Sequence, residues 1–216
     1  MKRILLIGIT GNFGSGKSTV SQTIEQLGYP VIYSDQLAKE LMKSNESVKR
    51  KIIQAFGKDA FLPDGNLNTK WLSEKVFAKN EEAEQNLARL NSIVHPFVLD
   101  ETEKIINNFI SEGKDLIFFE SALIFEAGIE ELFDYILLVY ADKDKVIERL
   151  TSSGKFTKEE IERRLAKQIN PDEKKKQADF VIYNNGTIEE LENNVRFILE
   201  MIKELQGIDN KSKNNT

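Results

Sequence analysis

The sequence predicts an α/β fold built on a doubly wound, parallel five-stranded sheet, and three observations carry that expectation. Short, largely apolar runs recur at Ile4–Ile9, Pro30–Ser34, Leu116–Phe119, Tyr135–Tyr140 and Asp179–Tyr183. Segments with apolar residues at helical spacing separate them, and strands alternating with helices favour a parallel sheet covered on both faces. The first run leads straight into Gly11-Asn12-Phe13-Gly14-Ser15-Gly16-Lys17-Ser18, which fits G-x-x-x-x-G-K-[ST] at each fixed position. A strand, a glycine-rich loop and a following helix form the context that such a phosphate-binding loop requires.

The loop has a direct physical reading. Glycines let the backbone curl until successive N–H groups point inward at phosphate oxygens. The N-terminus of the helix that runs on to Gly28 adds partial positive charge at the same place. Asn12, Phe13, Gly14, Ser15, Gly16, Lys17, Ser18 and Thr19 are therefore the expected ATP-binding stretch. Lys17 is expected to reach the β- and γ-phosphates, and Ser18 to offer its hydroxyl to Mg²⁺.

The second strand ends at Asp35, a carboxylate beyond the carboxyl end of a strand, where ligands gather in open α/β sheets. The alternative is that Ser34 or Asp35 caps a helix running from Gln36 to Phe56. From Gln36 to Gly113 the pattern is helix after helix, with Pro96 expected to begin the last of them and His95 just before it. The third strand closes on Glu120, a carboxylate suited to a magnesium site. Asp142 follows the fourth strand. Capping boxes at Thr157/Glu160 and Thr187/Glu190 mark two later helix starts. The final helix is expected to bury Ile188, Leu191, Val195, Ile198, Leu199, Ile202 and Leu205. Between the last two strands lies a charged segment with Arg149, Arg163, Arg164 and Lys167, suited to a mobile lid that closes cations over a transferring phosphoryl group.

Composition narrows the function classes. The 216 residues are 40% hydrophobic and 30% charged, with a net charge of −5. That charge argues against broad nucleic-acid or anionic-membrane binding. With no cysteine and one histidine, thiolate chemistry, disulfides and histidine-cluster metal sites are excluded. No apolar run approaches a membrane span, and the N-terminal run is too short for a signal peptide, so a cytoplasmic location is expected.

Several segments together resemble the dephospho-coenzyme A kinases, a family of P-loop kinases. They are Gly8-Ile9-Thr10-Gly11 with the loop, Ser34-Asp35-Gln36-Leu37-Ala38, Val94-His95-Pro96, Leu123-Ile124-Phe125-Glu126 and Phe133-Asp134. Arg163 to Gln168, Glu173-Lys174, Ala178-Asp179 and Val181 to Gly186 continue the likeness in the same order. The resemblance implies ATP-dependent phosphorylation of the ribose 3′-hydroxyl of dephospho-coenzyme A, with Mg²⁺, by a monomer or weak homo-oligomer. It implies catalytic roles for Asp35, Lys17 and Arg164, ATP contacts from Arg149 and Asn184, acceptor contacts from Asp35, His95 and Glu126, and metal ligation by Ser18 and Glu120. It further implies a core of residues 1–35, 114–148 and 178–206, a helical acceptor-binding insert at 36–113, a lid at 149–177 and a flexible tail at 207–216. Three features depart from the family pattern. Glu120 replaces Asp, Ser121-Ala122 replaces a segment ending in Pro, and Ser153 stands in place of a second lid arginine. Another small nucleotide or nucleoside kinase is the alternative. A guanine-nucleotide switch is disfavoured because D-x-x-G and N-K-x-D are both missing.

Overall fold

The computed structural model describes residues 4–78 and 80–213. Five strands, β1 (Leu5–Thr10), β2 (Val31–Tyr33), β3 (Leu116–Glu120), β4 (Tyr135–Tyr140) and β5 (Phe180–Tyr183), form one sheet in the order β2-β3-β1-β4-β5. The ladders β1·β3, β1·β4 and β4·β5 are parallel. β1 sits in the middle, and its residues Leu5, Ile7 and Ile9 are wholly buried. Its continuous apolar run is what a strand covered on both faces requires. The chain passes from β1 outward to β2, then returns through β3 and crosses to β4. That reversal opens a crevice at the carboxyl end of β1, where the glycine-rich loop begins.

Two aspartates set strand register at the opposite edge. Asp134, just before β4, accepts the Leu6 N–H at 2.8 Å while its own N–H donates to the Leu6 carbonyl at 2.9 Å. Asp179, just before β5, does the same with Ile136, at 2.7 and 3.0 Å. The Phe-Asp and Ala-Asp elements of the sequence are thus clamps that tie each new strand to the start of its neighbour.

The chain divides into two compact units, one from residues up to Ile32 together with Asn108 onward, the other Tyr33–Asn107. In the first unit the sheet is flanked by α1 (Lys17–Gln26), α6 (Lys143–Ser152), α7 (Lys158–Leu165), α8 (Pro171–Gln177) and α9 (Ile188–Lys213). Both capping boxes form. Glu160 and Thr157 exchange hydrogen bonds at 2.9 and 3.3 Å, and Glu190 and Thr187 at 2.8 and 3.2 Å. On α9 the buried stripe is Leu191, Val195, Leu199 and Ile202, whereas Ile188, expected in it, is 68% exposed on the first turn. The helix also continues past Gln206 to Lys213, so the expected flexible tail from 207 is helical over that part. Residues 214–216 of that expectation lie outside the described residues.

The second unit is mainly helical, with α2 (Ser34–Ser44), α3 (Glu46–Phe56), α4 (Thr69–Phe77) and most of α5 (Glu81–Ser111). The expected single helix from Gln36 to Phe56 is broken at Asn45. This residue is extended and accepts the Ser47 and Val48 N–H groups, capping α3. The expected helix start at Pro96 is also corrected, since Pro96 lies inside the 31-residue α5. Proline removes the N–H that the Ser92 carbonyl would take. Both residues are solvent-exposed, so water can satisfy that carbonyl. Among the described residues no helix is long and apolar enough to cross a membrane.

Candidate active site

The loop between β1 and α1 takes its shape from glycines in conformations that other residues avoid. Gly14 and Gly16 have φ of 76° and 97°. A Cβ on Gly14 would meet the Leu150 and Val146 side chains of α6 at 2.7 and 2.8 Å. One on Gly16 would collide with the side-chain amide of Asn184. That amide donates to the Ser15 carbonyl at 2.8 Å, and the Asn184 N–H donates to the Tyr140 carbonyl at 2.7 Å. The turn after β5 is thereby fastened to the back of the loop. Gly16→Ala is expected to displace Asn184 and to strain the backbone by about 1–2 kcal/mol. ATP affinity, measured by titration calorimetry, should fall at least about tenfold. Unchanged affinity would mean the loop tolerates another shape.

Lys17 begins α1, and its Nζ donates to the Gly11 carbonyl at 2.8 Å and the Asn12 carbonyl at 3.4 Å. Ser18 is exposed on the first turn, beside Thr19. Thr10 Oγ1, Asn12 Oδ1 and Ser15 Oγ are buried and have no hydrogen-bond partner among the described residues. Buried polar atoms are nearly always paired in folded proteins, so unpaired ones gathered along a loop mark a ligand site. Glu120, the last residue of β3, stands opposite Ile9 in the ladder with β1 and so shares the loop's edge of the sheet. Ser121, one of the departures, tightens the next turn. Its N–H donates to the Ile9 carbonyl at 3.0 Å, and its Oγ accepts the Leu123 N–H at 3.3 Å.

The charged segment is fastened to the loop. The Arg164 guanidinium lies over the Phe13 ring at 4.8 Å and the Phe156 ring at 4.9 Å, and those rings meet edge to face at 5.2 Å. Gln168 Oε1 accepts the Phe13 N–H at 2.7 Å, and the Ile169 carbonyl accepts from Asn12 Nδ2 at 3.0 Å. Phe156, Gln168 and Ile169 had no role assigned from the sequence. All three fall within the lid expected at 149–177, and Gln168 also ends the segment Arg163 to Gln168 that carries the resemblance. Arg149 reaches toward the turn after β5, donating to the Gly186 carbonyl at 3.2 Å. Ser153, where a second lid arginine was expected, closes α6 by donating to the Leu150 carbonyl at 2.6 Å.

At the carboxyl ends of β4 and β5, Tyr140 and Tyr183 pack edge to face at 5.4 Å with the Lys175 ammonium 4.2 Å above the Tyr140 ring. Burial, then the charge of Asp172, pushes the Tyr140 hydroxyl up from its usual range. Asp142 and Asn185 pair across this end, with the Asn185 amide donating to Asp142 Oδ2 at 2.9 Å.

The remaining candidates lie on other elements. Asp35 is exposed in the first turn of α2, just beyond β2. The capping reading is not met, because the position before the helix is Tyr33 and no side chain caps it. His95 is exposed in the interior of α5. Glu126, expected to touch the acceptor, forms an ion pair with Lys174 at 2.7 Å.

A parallel sheet in this order, with the G-x-x-x-x-G-K-S loop at the carboxyl end of its central strand, defines a P-loop kinase fold. The family model for dephospho-CoA kinase matches residues 5–190. A dephospho-CoA kinase of Listeria monocytogenes serotype 4b is 36% identical over 198 residues, covering 91% of this chain and 97% of that protein. Among solved structures, TT1252 from Thermus thermophilus superposes with a TM-score of 0.73 at 32% identity, covering 93% of this chain and 98% of that one. Dephospho-CoA kinase from Campylobacter jejuni gives 0.67 at 26% identity, covering 92% and 97%. The chain belongs to the dephospho-CoA kinase family.

Proposed function

We propose that the protein transfers the γ-phosphoryl group of ATP to the ribose 3′-hydroxyl of dephospho-coenzyme A, giving coenzyme A and ADP. Membership of the family across residues 5–190, with the glycine-rich loop inside the match, is the observation that carries this reading. The loop N–H groups and Lys17 hold the β- and γ-phosphates. Asp35 aligns the acceptor hydroxyl and takes its proton late in transfer. Arg164, already lying over Phe13 of the loop, supplies positive charge to the transferring group, while Arg149 and Asn184 border the nucleotide end. Residues 36–113, with His95, bind the acceptor. Most of the rate enhancement is then positioning and electrostatics.

A magnesium ion fits the residues present. Among the described residues no group of three or more His, Asp or Glu could hold a metal alone. Ser18 and Glu120 offer one hydroxyl and one carboxylate at the loop's edge. That is the sparse protein share Mg²⁺ takes when substrate phosphates and water complete its shell. Bound there, it would neutralise charge between the β- and γ-phosphates.

The test compares ATP consumption with dephospho-coenzyme A, adenosine and nucleoside monophosphates as acceptors. Turnover on dephospho-coenzyme A is expected to exceed the others by at least about a hundredfold in kcat/KM, since sites built to hydrogen-bond a substrate reject analogues that leave those groups unpaired. Equal or greater turnover on a nucleoside monophosphate would overturn the assignment.

A further inference from the structure

Lys174 is wholly buried, an unusual position for an ammonium group, which must be paired to stay charged. Its Nζ donates to Glu126 Oε1 at 2.7 Å and to the Ala122 carbonyl at 3.3 Å. The same Glu126 Oε1 accepts the Ile169 N–H at 3.2 Å, whereas Oε2 is buried with no donor among the described residues. The carboxylate is therefore aimed by two donors converging on one oxygen. Ile169 is gripped from both sides, its N–H by Glu126 and its carbonyl by Asn12 of the phosphate loop. Its neighbour Gln168 accepts the Phe13 N–H of the same loop. The Ile169 side chain packs on the cluster of Ile124, Phe125 and Ile136, which holds the peptide against the sheet.

We infer that the Glu126–Lys174 pair is a positioning device for the phosphate loop, acting through the strap Gln168-Ile169, and that Glu126 is not an acceptor ligand. The pair fixes the strap, and the strap fixes Asn12 and Phe13, the first half of the loop. A loop held in its binding shape loses less entropy when phosphate arrives, so the pair contributes to ATP affinity from a distance. The inference rests on reading the loop as the ATP site.

The test uses the full chain with E126Q, K174M, the double variant and Q168A. ATP binding is measured by calorimetry with no acceptor present, beside the KM for each substrate and the melting temperature. E126Q and K174M are each expected to weaken ATP binding about fivefold to tenfold, with the acceptor KM within about twofold of wild type. The double variant should be no worse than the weaker single one, because both changes break one connection. K174M leaves a carboxylate buried without its partner, which endangers folding. Q168A removes only the partner of the Phe13 N–H, and it alone should weaken ATP binding about threefold or more. A raised acceptor KM in E126Q with unchanged ATP affinity would return Glu126 to the acceptor. Lower melting temperatures with both affinities intact would reduce the pair to a stability element, and unaltered ATP binding in Q168A would break the link to the loop. If the wild type binds ATP yet fails to phosphorylate dephospho-coenzyme A, the proposed reaction falls while the binding comparison still decides this inference.

Discussion

Asp35→Asn is expected to lower kcat by about a hundredfold or more while the KM for ATP stays near the wild-type value. That loss equals about 2.7 kcal/mol of transition-state stabilisation. Asparagine keeps the shape and one acceptor oxygen of aspartate, so it can still orient a hydroxyl, but it cannot take the proton. Asp35 sits exposed in the first turn of α2 with Tyr33 in the position before the helix, so it is not the residue that caps α2. A fall in activity would therefore be hard to ascribe to lost folding. Melting curves on the same samples check this directly. An Asp35→Asn enzyme with nearly full activity would leave the carboxylate as no more than a favourable charge at a helix start.

The sheet was largely legible because its strands are buried on both faces and read as unbroken apolar runs. β3 and β4 fall where Leu116–Glu120 and Tyr135–Tyr140 place them. The helical unit was harder to read for two physical reasons. Apolar spacing runs smoothly through residues 37–56, so it conceals the break at Asn45, which only the Asn-Glu-Ser capping chemistry reveals. Pro96 looks like a helix start because proline suits a first turn. On an exposed face, however, a long helix can lose one hydrogen bond to water and continue.

At the site, the loop could be read because its chemistry is local. Eight consecutive residues carry the glycines, the lysine and the hydroxyl that phosphate binding needs. What escaped notice depends on contacts between distant segments. Gln168 meets Phe13 across 155 positions, and Asn184 meets Ser15 across 169. No periodicity encodes such pairings. Glu126 shows the same limit from the other direction. The segment Leu123-Ile124-Phe125-Glu126 invites a substrate role for its carboxylate, and only the fold reveals that Lys174 and the Ile169 N–H occupy one of its oxygens.

Lys17→Ala is expected to reduce kcat/KM by about a thousandfold with every acceptor, because in the proposed mechanism the residue serves the donor alone. Two effects add in that loss. The ammonium supplies charge where the β- and γ-oxygens gather negative charge during transfer. It also donates to the Gly11 and Asn12 carbonyls, tying the start of the loop to the first turn of α1. Lys17→Arg separates the two effects. It keeps the charge but replaces a compact ammonium with a planar fork that cannot reproduce both carbonyl contacts. If charge alone mattered, arginine would restore most of the activity. If the loop contacts matter as well, Lys17→Arg should recover only part of the loss, with ATP affinity still reduced. A defect in Lys17→Ala confined to one acceptor would contradict the phosphate role, since no acceptor contact can be specific to a residue that grips only the donor.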